Sequence, residues 1–329
     1  MNKPQVTVLV AVWNTEEYLP QCLDSMRCQT LRDIQVVCVD DASTDRSLAV
    51  LQRYAAIDDR IEVVALPHNQ GQAHARNVGL RLAKGDFVCF LDSDDWMADD
   101  CLERAVEVFR VHEKTGCVLF NTLYYYSRSR IETFSMPAFD VFSGKEAFVL
   151  SLTWRIHGVY MVRADIHKRY PYDESAHAFS DDNTTRLHYL ASSEVRVCTG
   201  TYYYRQRSTS VSHQFSLRRF DYLSANLSMK RCLERLHVKE DVLNLYENHR
   251  WLNVVDMFML WFKHSSELTA GDRRKALSLV RDSWKTIDVW RLKPALRYKF
   301  GYMPFAGHWH LFLLQELTYF SMRRLLGRL

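Results

Sequence analysis

The sequence predicts an α/β protein in which helices flank a mostly parallel sheet and a helical C-terminal extension follows. Short apolar runs alternate with amphipathic segments through the first half of the chain, as in right-handed βαβ units. Two of these runs end abruptly in carboxylates, at residues 34–45 (IQVVCVDDASTD) and 87–95 (FVCFLDSDD). From Leu217 onward the sequence is typical of helices, because Pro and Gly are sparse until Lys293.

The predicted elements follow this alternation in order. Helices bury both faces of a parallel sheet, so its strands are nearly continuous apolar runs. Such runs predict strands at Val6–Val12, Ile34–Val39, Ile61–Ala65 and Phe87–Leu91, with later strands at Val118–Tyr126, in HGVYMVR and in VRVCTGTYYYRQ. Helices are predicted near Glu17–Cys28, Asp45–Ala55 and Gln72–Ala83. We expect a first domain at residues 1–215 and a helical region at residues 216–329.

The composition narrows the protein class. The 329 residues are 47% hydrophobic and 25% charged, which predicts a packed globular protein. The eight cysteines form no CxxC pair and several lie inside apolar runs, so we expect reduced thiols and a cytoplasmic location. The short apolar N-terminus is typical of a strand rather than a signal peptide, and no uncharged apolar run reaches the ~20 residues that cross a bilayer.

The acidic clusters indicate a chemistry. In open α/β sheets, ligands bind beyond the carboxyl ends of the strands. Asp92 and Asp94 lie two residues apart at such an end, where oxygen ligands suit Mg²⁺ or Mn²⁺ and substrate phosphates complete the coordination shell. The first turn reads VWNTEEYL and contains no GxGxxG, which argues against a dinucleotide-dependent dehydrogenase. A rim that binds metal and diphosphate indicates a nucleotide-sugar enzyme.

The motifs together resemble those of the family 2 glycosyltransferases. The segments concerned are VAVWNTEEYLPQCLDSMRCQT, VVCVDDASTDRS, HNQGQAHARNVGL, GDFVCFLDSDDW and FSDDNTTRL, within residues 5–215. Enzymes of this family are inverting transferases with the GT-A fold, a Rossmann-like α/β domain that carries an Asp-x-Asp metal site. The resemblance therefore implies this fold, a nucleotide-sugar donor and a divalent cation for the present chain.

The resemblance also implies roles for individual residues. Asp41 would read the base, Arg76 would contact the nucleotide and Asp92 would bind the ribose. The full donor set is Val12, Asn14, Glu16, Asp41, Ser43, Arg76, Asp92 and Ser93, and the metal ligands are Asp94, Asp92 and His213. In the pair Asp181-Asp182, the second residue matches the usual catalytic base. Inverting transfer needs such a base to take the proton of the acceptor hydroxyl.

Departures from the family pattern leave alternatives open. Relatives often have Tyr in place of Trp13, Gly in place of Ala42 and His in place of Arg207. Because Arg207 replaces that histidine, either Arg207 contacts phosphate or His213 serves as a metal ligand. The predicted acceptor contacts are Trp154, His157, Arg205 and Arg207, although a packed aromatic and a satisfied histidine explain the first two equally well. The acid clusters and the Asp181-Asp182 pair also fit helix caps and turns, and Arg76 also fits an exposed helix position.

The C-terminal part is strongly basic. From Arg273 onward, twelve Lys and Arg face three Asp and Glu, which gives +9 against −5 for the first 272 residues. Phe300–Gln315 carries no formal charge, and Arg323, Arg324 and Arg328 close the chain. An ordinary core helix and an interfacial helix on anionic lipid both fit this segment. The second suits acceptors carried on polyprenyl lipids, which many bacterial relatives use.

We therefore predict a metal-dependent inverting glycosyltransferase. It would move a sugar from a nucleotide donor, most simply a UDP-sugar, to a glycan or polyprenyl-diphosphate-linked acceptor in bacterial polysaccharide synthesis. It would lie on the inner face of the cell membrane. One alternative is a catalytically silent nucleotide-sugar-binding or assembly subunit. Another is a nucleotidyltransferase, which needs a glycine-rich, basic first loop that the chain lacks. Nothing in the sequence indicates nucleic-acid binding.

Overall fold

The computed structural model describes residues 3–175, 181–207 and 216–328. The chain divides into two compact units. The first consists of Met1–Glu174 and Asp181–Val211, and the second consists of Ser175–Ser180 and Ser212–Leu329. The first unit is an α/β domain and the second is helical, so the predicted fold class is confirmed.

The strands of the first unit form one mixed sheet. They are β1 (Val6–Val12), β2 (Ile34–Asp40), β3 (Ile61–Ala65), β4 (Phe87–Phe90), β5 (Trp96–Met97), β6 (Thr115–Ser127), β7 (Arg130–Thr133), β8 (Val141–Ser143), β9 (Tyr160–Arg163) and β10 (Glu194–Arg205). Its helices are α1 (Leu19–Arg27), α2 (Ser47–Ala55), α3 (Gln72–Leu82), α4 (Cys101–Val111), α5 (Gly144–Ser151), α6 (Ala164–Arg169) and α7 (Asp181–Ala191).

The order of the strands is β3-β2-β1-β4-β9-β6-β10-β5, with β7 beside β6 and β8 beside β10. β1 to β4 pair in parallel, and β6 pairs in parallel with β10. β9 lies antiparallel between β4 and β6. The carboxyl ends of β1, β2 and β4 therefore meet at one edge, as the sequence predicts.

Burial explains why these segments form strands. Six of the seven residues of β1 and all seven of β2 are buried, because helices cover both faces of the sheet. The buried polar pair Thr7 and Gln35 is satisfied by a hydrogen bond of 2.8 Å from the hydroxyl to the amide oxygen. Gly85 precedes β4, where a Cβ atom would lie 2.6 Å from the backbone nitrogen of Thr7. The close approach of these two strands therefore requires glycine there.

The second unit contains α8 (Asp221–Arg235), α9 (Glu240–His264), α10 (Ala270–Lys285), α11 (Pro294–Arg297) and α12 (Trp309–Leu325). Its core joins Trp251 and Phe258 of α9, Trp284 of α10, and Phe312 and Phe320 of α12. One face of α12 is thus an ordinary core face. No helix among the described residues is long and apolar enough to cross a membrane.

The opposite face of α12 is apolar and exposed. Four of its apolar side chains are between 49% and 87% exposed, namely Leu311, Leu314, Met322 and Leu325. They recur every three or four positions or at a multiple of that spacing, so they share one side of the helix. We call these four residues the α12 stripe. Of the two interpretations of the tail, the core helix describes the buried face of α12. The interfacial helix would use the exposed face and stays a prediction.

Candidate active site

The turns after β1 and β2 are locked to each other by Asn14. Its backbone N–H donates to the Ser43 hydroxyl at 3.1 Å, and its side-chain oxygen accepts the Thr44 backbone N–H at 2.8 Å. Asn14 and Ala42 both have positive φ angles, of 51° and 58°, a conformation that asparagine tolerates better than most residues. Two predicted donor residues, Asn14 and Ser43, therefore shape this edge of the sheet.

Glu16 and Asp45 form a reciprocal clamp beside them. The Glu16 N–H donates to the Asp45 carboxylate at 3.0 Å, and the Arg46 N–H donates to the Glu16 carboxylate at 2.7 Å. Arg46 immediately precedes α2, so Glu16 satisfies one of the backbone donors that a helix leaves unpaired at its start. The predicted contact of Glu16 with the donor stays a prediction.

Asp41 is buried and organises the turn that precedes α3. Its two carboxylate oxygens accept the backbone N–H groups of Gln70 and Gly71, both at 2.8 Å. Its own N–H donates to the Val12 carbonyl at 2.8 Å, so β1, β2 and α3 are tied together at this residue. Gly71 has a φ of 92°, which glycine adopts without steric cost. The role of Asp41 in base recognition stays a prediction.

Arg76 and Asp92 form a buried ion pair at the centre of the edge. The Arg76 guanidinium is 2.5 Å from an Asp92 carboxylate oxygen, and the Gln72 amide donates to the same oxygen at 3.0 Å. The guanidinium also lies 4.1 Å from the centroid of the Phe90 ring and 5.3 Å from that of Tyr172. Burial disfavours its charge, but Asp92, Tyr172 and Asp181 together with Tyr202 outweigh burial and raise the pKa of Arg76. Arg76 is thus an inward-facing cation, not an exposed helix residue.

Asp94 pairs with Arg207 across the sheet edge. An Arg207 guanidinium nitrogen lies 2.6 Å from an Asp94 carboxylate oxygen. Burial and the charge of Asp92 raise the pKa of Asp94, whereas Arg207 lowers it. The two carboxylates therefore repel each other, and positive charge beside Asp94 relieves that repulsion.

Arg205 is held in an aromatic setting. Its guanidinium donates to the Asp94 carbonyl at 2.8 Å and to the Gln21 amide oxygen at 2.6 Å. The rings of Tyr18, Trp96 and Tyr125 lie 4.8–5.5 Å from it. Arg205 thus fixes the loop after β4, and its predicted contact with the acceptor stays a prediction.

Sequence reasoning missed the contribution of Asp95 and Tyr202. The Tyr202 hydroxyl donates to the Asp95 carboxylate at 2.8 Å and accepts the Asp92 N–H at 3.2 Å. The Arg205 N–H donates to the other Asp95 oxygen at 2.7 Å. Burial and the two nearby carboxylates raise the pKa of Asp95. The third acid of DSDD thus joins β10 to the end of β4, and Ser93 accepts the Thr15 hydroxyl at 3.0 Å beneath it.

Asp181 and Asp182 form the first turn of α7. Asp182 lies 3.4 Å from the buried Arg186 guanidinium one turn later, and its side chain is 12% exposed. Burial raises the pKa of Asp182 to about 7, which Arg186 opposes and Asp181 reinforces. The charge of Asp181 also raises the pKa values of Arg76 and Tyr172. The acid pair therefore lies within electrostatic range of the Arg76–Asp92 ion pair.

The two remaining acceptor candidates differ in accessibility. Trp154 is 52% exposed. His157 is buried, with its Nε2 atom 3.1 Å from the Thr122 hydroxyl and its Nδ1 atom accepting the Val159 N–H at 3.2 Å. Burial lowers the pKa of His157 to about 4. His157 is therefore a neutral, hydrogen-bonded core residue, and its predicted contact with the acceptor stays untested.

On their own, the predicted metal ligands among the described residues form only part of a cation site. Among the described residues, no group of three or more His, Cys, Asp or Glu side chains is arranged to hold a metal ion, and His213 lies outside those residues. Asp92 and Asp94 nevertheless offer oxygen donors that repel each other. Magnesium commonly binds one or two protein carboxylates together with substrate phosphates, so this pair fits such a cation when a diphosphate completes the shell.

Known proteins match the chain in sequence. Residues 7–170 match the family model described as glycosyl transferase family 2. The putative glycosyltransferase EpsH of Bacillus subtilis is 30% identical over 235 residues, which cover 67% of this chain and 66% of EpsH. The putative teichuronic acid biosynthesis glycosyltransferase TuaG of the same organism is 42% identical over 105 residues, which cover 32% of this chain and 42% of TuaG. The matches thus span less than two thirds of each relative.

A solved structure matches almost the whole chain. The crystal structure of S. aureus TarS residues 1–349 in complex with UDP-GlcNAc aligns with a TM-score of 0.77 at 20% sequence identity. The alignment covers 96% of this chain and 91% of that chain. This likeness confirms the predicted fold, including the helical C-terminal part.

Proposed function

This chain belongs to the family 2 glycosyltransferases, and we propose that it transfers one sugar from a UDP-sugar to a glycan hydroxyl with inversion at the anomeric carbon. The observation that carries this proposal is that two acidic pairs lie near one cation, Arg76. Asp92 and Asp94 follow β4 beside the cations Arg76 and Arg207, and the charge of Asp181 reaches Arg76. The UDP-GlcNAc bound to TarS, which shares this fold, supports the choice of donor.

Asp182 is the residue that we propose as the general base. Because burial raises its pKa to about 7, a substantial fraction is deprotonated at neutral pH and each carboxylate is a stronger base than an ordinary aspartate. The acceptor oxygen forms a bond to the anomeric carbon while its proton passes to Asp182. The bond from that carbon to the diphosphate breaks, and its electron pair leaves with UDP. A buried base tuned in this way favours catalysis over a silent binding subunit.

The departing diphosphate needs positive charge beside it. Arg207 lies next to Asp94 and is partly exposed, so we propose that it contacts a phosphate oxygen of the donor. Asp94 and Asp92 would hold Mg²⁺ or Mn²⁺. When bound, this cation supplies further charge neutralisation to the diphosphate. Arg76 holds Asp92 in place through their ion pair.

The acceptor is proposed from the surface and from the relatives. The exposed Trp154 ring offers an apolar face of the kind that stacks on sugars, and the name of TuaG associates that relative with teichuronic acid biosynthesis. We propose a glycan or polyprenyl-diphosphate-linked acceptor in bacterial polysaccharide synthesis. The α12 stripe and the nearby arginines would hold the enzyme on the anionic inner face of the cell membrane.

A donor panel tests the proposed function. Purified protein is incubated with UDP-, GDP- and CDP-sugars with Mn²⁺, and release of the nucleotide is measured with and without oligosaccharide acceptors. We expect turnover of at least one UDP-sugar, stimulation by an acceptor, and loss of that stimulation in Asp182→Asn. Binding of UDP-sugars without turnover under any condition would instead support a silent binding subunit.

A further inference from the structure

Residues 170–174 lie between the two acidic pairs of the site, and we call them the brace. They follow α6, and α7 begins at Asp181. One side of the brace contacts α3, which carries Arg76. The other side contacts the first turns of α7, which carries Asp182. The hydrogen bonds on both sides are made by buried side chains that have no role in the proposed chemistry.

On the α3 side, Asn77 binds the backbone of Tyr172 as a neighbouring strand would. Its amide nitrogen donates to the Tyr172 carbonyl and its amide oxygen accepts the Tyr172 N–H, both at 2.9 Å. The same amide nitrogen is 2.5 Å from a Glu174 carboxylate oxygen, whose partner oxygen lies 2.9 Å from His74 Nδ1. Asn77 follows Arg76 directly, and Tyr172 contacts Arg76 through its ring. The brace therefore supports the residue that holds Asp92.

On the α7 side, hydrogen bonds tie Tyr170 and Asp173 of the brace to the helix. The Asp173 N–H donates to the Thr184 hydroxyl at 3.0 Å, and the Asn183 amide donates to the Asp173 carboxylate at 2.7 Å. His188 Nε2 lies 2.7 Å from the Tyr170 carbonyl oxygen. Thr184 and Asn183 follow Asp182 within one helical turn, so the brace also sets where the proposed base lies.

We propose that Asn77 and Thr184 are positioning residues that act through the brace to fix Asp182 relative to the Arg76–Asp92 ion pair. This inference rests on the proposed function, because it assumes that Asp182 acts on an acceptor bound beside the donor. Neither side chain touches the reacting atoms. Their effect is on alignment, to which transfer rates are sensitive, since a misplacement of about 1 Å can cost on the order of 10²-fold.

Two substitutions release the brace at opposite ends. Asn77→Asp has almost the same shape, but it cannot donate to the Tyr172 carbonyl and it places a second carboxylate beside Glu174. Thr184→Val removes the hydroxyl while preserving the shape, and Thr184→Ser keeps the hydroxyl. We expect kcat for transfer to fall roughly 10- to 100-fold in Asn77→Asp and in Thr184→Val, with UDP affinity within about twofold of wild type. Thr184→Ser should restore most of the rate.

Asn248 provides a matched control in the second unit. Its amide nitrogen donates to the Asn244 and Arg291 carbonyls at 2.6 and 2.9 Å, and its oxygen accepts the Lys293 N–H at 2.8 Å. Asn248→Asp therefore breaks the same kind of side-chain clamp far from any proposed site residue in the sequence. It should lower the unfolding midpoint without changing kcat. If it slows transfer as strongly as Asn77→Asp, the effect of Asn77 is general loss of structure.

A double-mutant cycle separates this inference from the proposed function. Because both changes release one segment, the rate loss in the double variant should be clearly smaller than the product of the two single losses. Multiplicative losses, or wild-type kcat in both single variants, would overturn the brace while leaving the proposed function intact. Wild-type transfer by Asp182→Asn would instead overturn the proposed base, whatever the brace variants do.

Discussion

Asp182 lies beside Arg186 in a buried position where its ionisation affects both rate and stability. Burial raises its pKa from an ordinary 3.8 to about 7. A base must be deprotonated to act, so the transfer rate should rise with pH through about 7. Asp182→Asn is nearly isosteric and accepts no proton, and we expect a ~10²–10⁴-fold loss of kcat with little change in UDP affinity. Stopped assays of wild type and Asp182→Asn between pH 5 and 9 measure both the pH dependence of the rate and its loss in the variant.

The same pKa shift predicts a dependence of stability on pH. The unfolded chain releases the Asp182 proton near pH 4, whereas the folded chain keeps it until about pH 7. Stability contributed by the protonated form is therefore lost as pH rises through this window. Asp182→Asn should flatten that part of the profile of unfolding free energy against pH. An unchanged profile would show that Asp182 does not carry the raised pKa.

Asp94 gives the third prediction at this scale. Asp94→Ala should abolish transfer and leave the unfolding midpoint near that of wild type, because Asp94 lies at a partly exposed strand end. EDTA should inactivate the wild type, and added Mn²⁺ should restore it. Isothermal titration of Mn²⁺ with UDP present should detect binding in wild type but not in Asp94→Ala. Full activity in EDTA would contradict the metal-dependent mechanism.

Residue types and spacing were enough to find the carboxylates of this site but not their partners. The place of Asp92 and Asp94 at the sheet edge is predictable because they follow an apolar strand directly, and ligands of open α/β sheets bind beyond the carboxyl ends of the strands. The Arg76–Asp92 ion pair and the Asp95–Tyr202 hydrogen bond depend on how α3 and β10 pack against β4. Sequence spacing contains no information on that packing. For His157 the sequence leaves an acceptor contact and a satisfied histidine equally open, and the side chain lies buried with hydrogen bonds to Thr122 and Val159.

At the scale of elements, strands were easier to predict than the elements that interrupt them. β1 to β3 match their predicted starts because each is a run of mostly apolar residues. α4 was not predicted, although its buried residues recur at helical spacing. The antiparallel insertion of β9 between β4 and β6 was also missed, since four residues carry no signal of direction. α12 was ambiguous because both of its faces are apolar.

The two faces of α12 give the fourth prediction. Phe312 is fully buried among Trp251, Phe258 and Trp284, so Phe312→Ala should destabilise the second unit by about 3–5 kcal/mol. Leu314 on the α12 stripe is exposed, and Leu314→Ala should change stability by less than about 0.5 kcal/mol. Urea unfolding followed by tryptophan fluorescence compares them. Equal losses would mean that both faces of α12 are covered.

At the scale of the whole molecule, charge and exposed apolar surface concentrate in the same part of the sequence. Residues 273–329 carry +9, and the α12 stripe lies among them beside Arg323, Arg324 and Arg328. Twelve basic residues of this segment face only three acidic ones, and one of the three, Glu316, is buried in the core, so a second copy of the segment would mostly repel it. An anionic lipid surface therefore complements it better than a second copy does.

This complementarity gives the last prediction, which concerns attachment to membranes. Each arginine near an anionic surface contributes ~1 kcal/mol that salt screens, whereas buried apolar side chains contribute a part that salt does not remove. The protein should float with vesicles of phosphatidylglycerol more than with vesicles of phosphatidylcholine, and high salt should release part of it.

Leu314→Glu with Met322→Glu should reduce flotation at every salt concentration. Val111→Glu with Ile57→Glu introduces the same two charges at comparably exposed apolar positions outside α12 and should float like wild type. Equal losses in the two variants would assign the effect to net charge, and no flotation of the wild type would leave α12 with a core role alone.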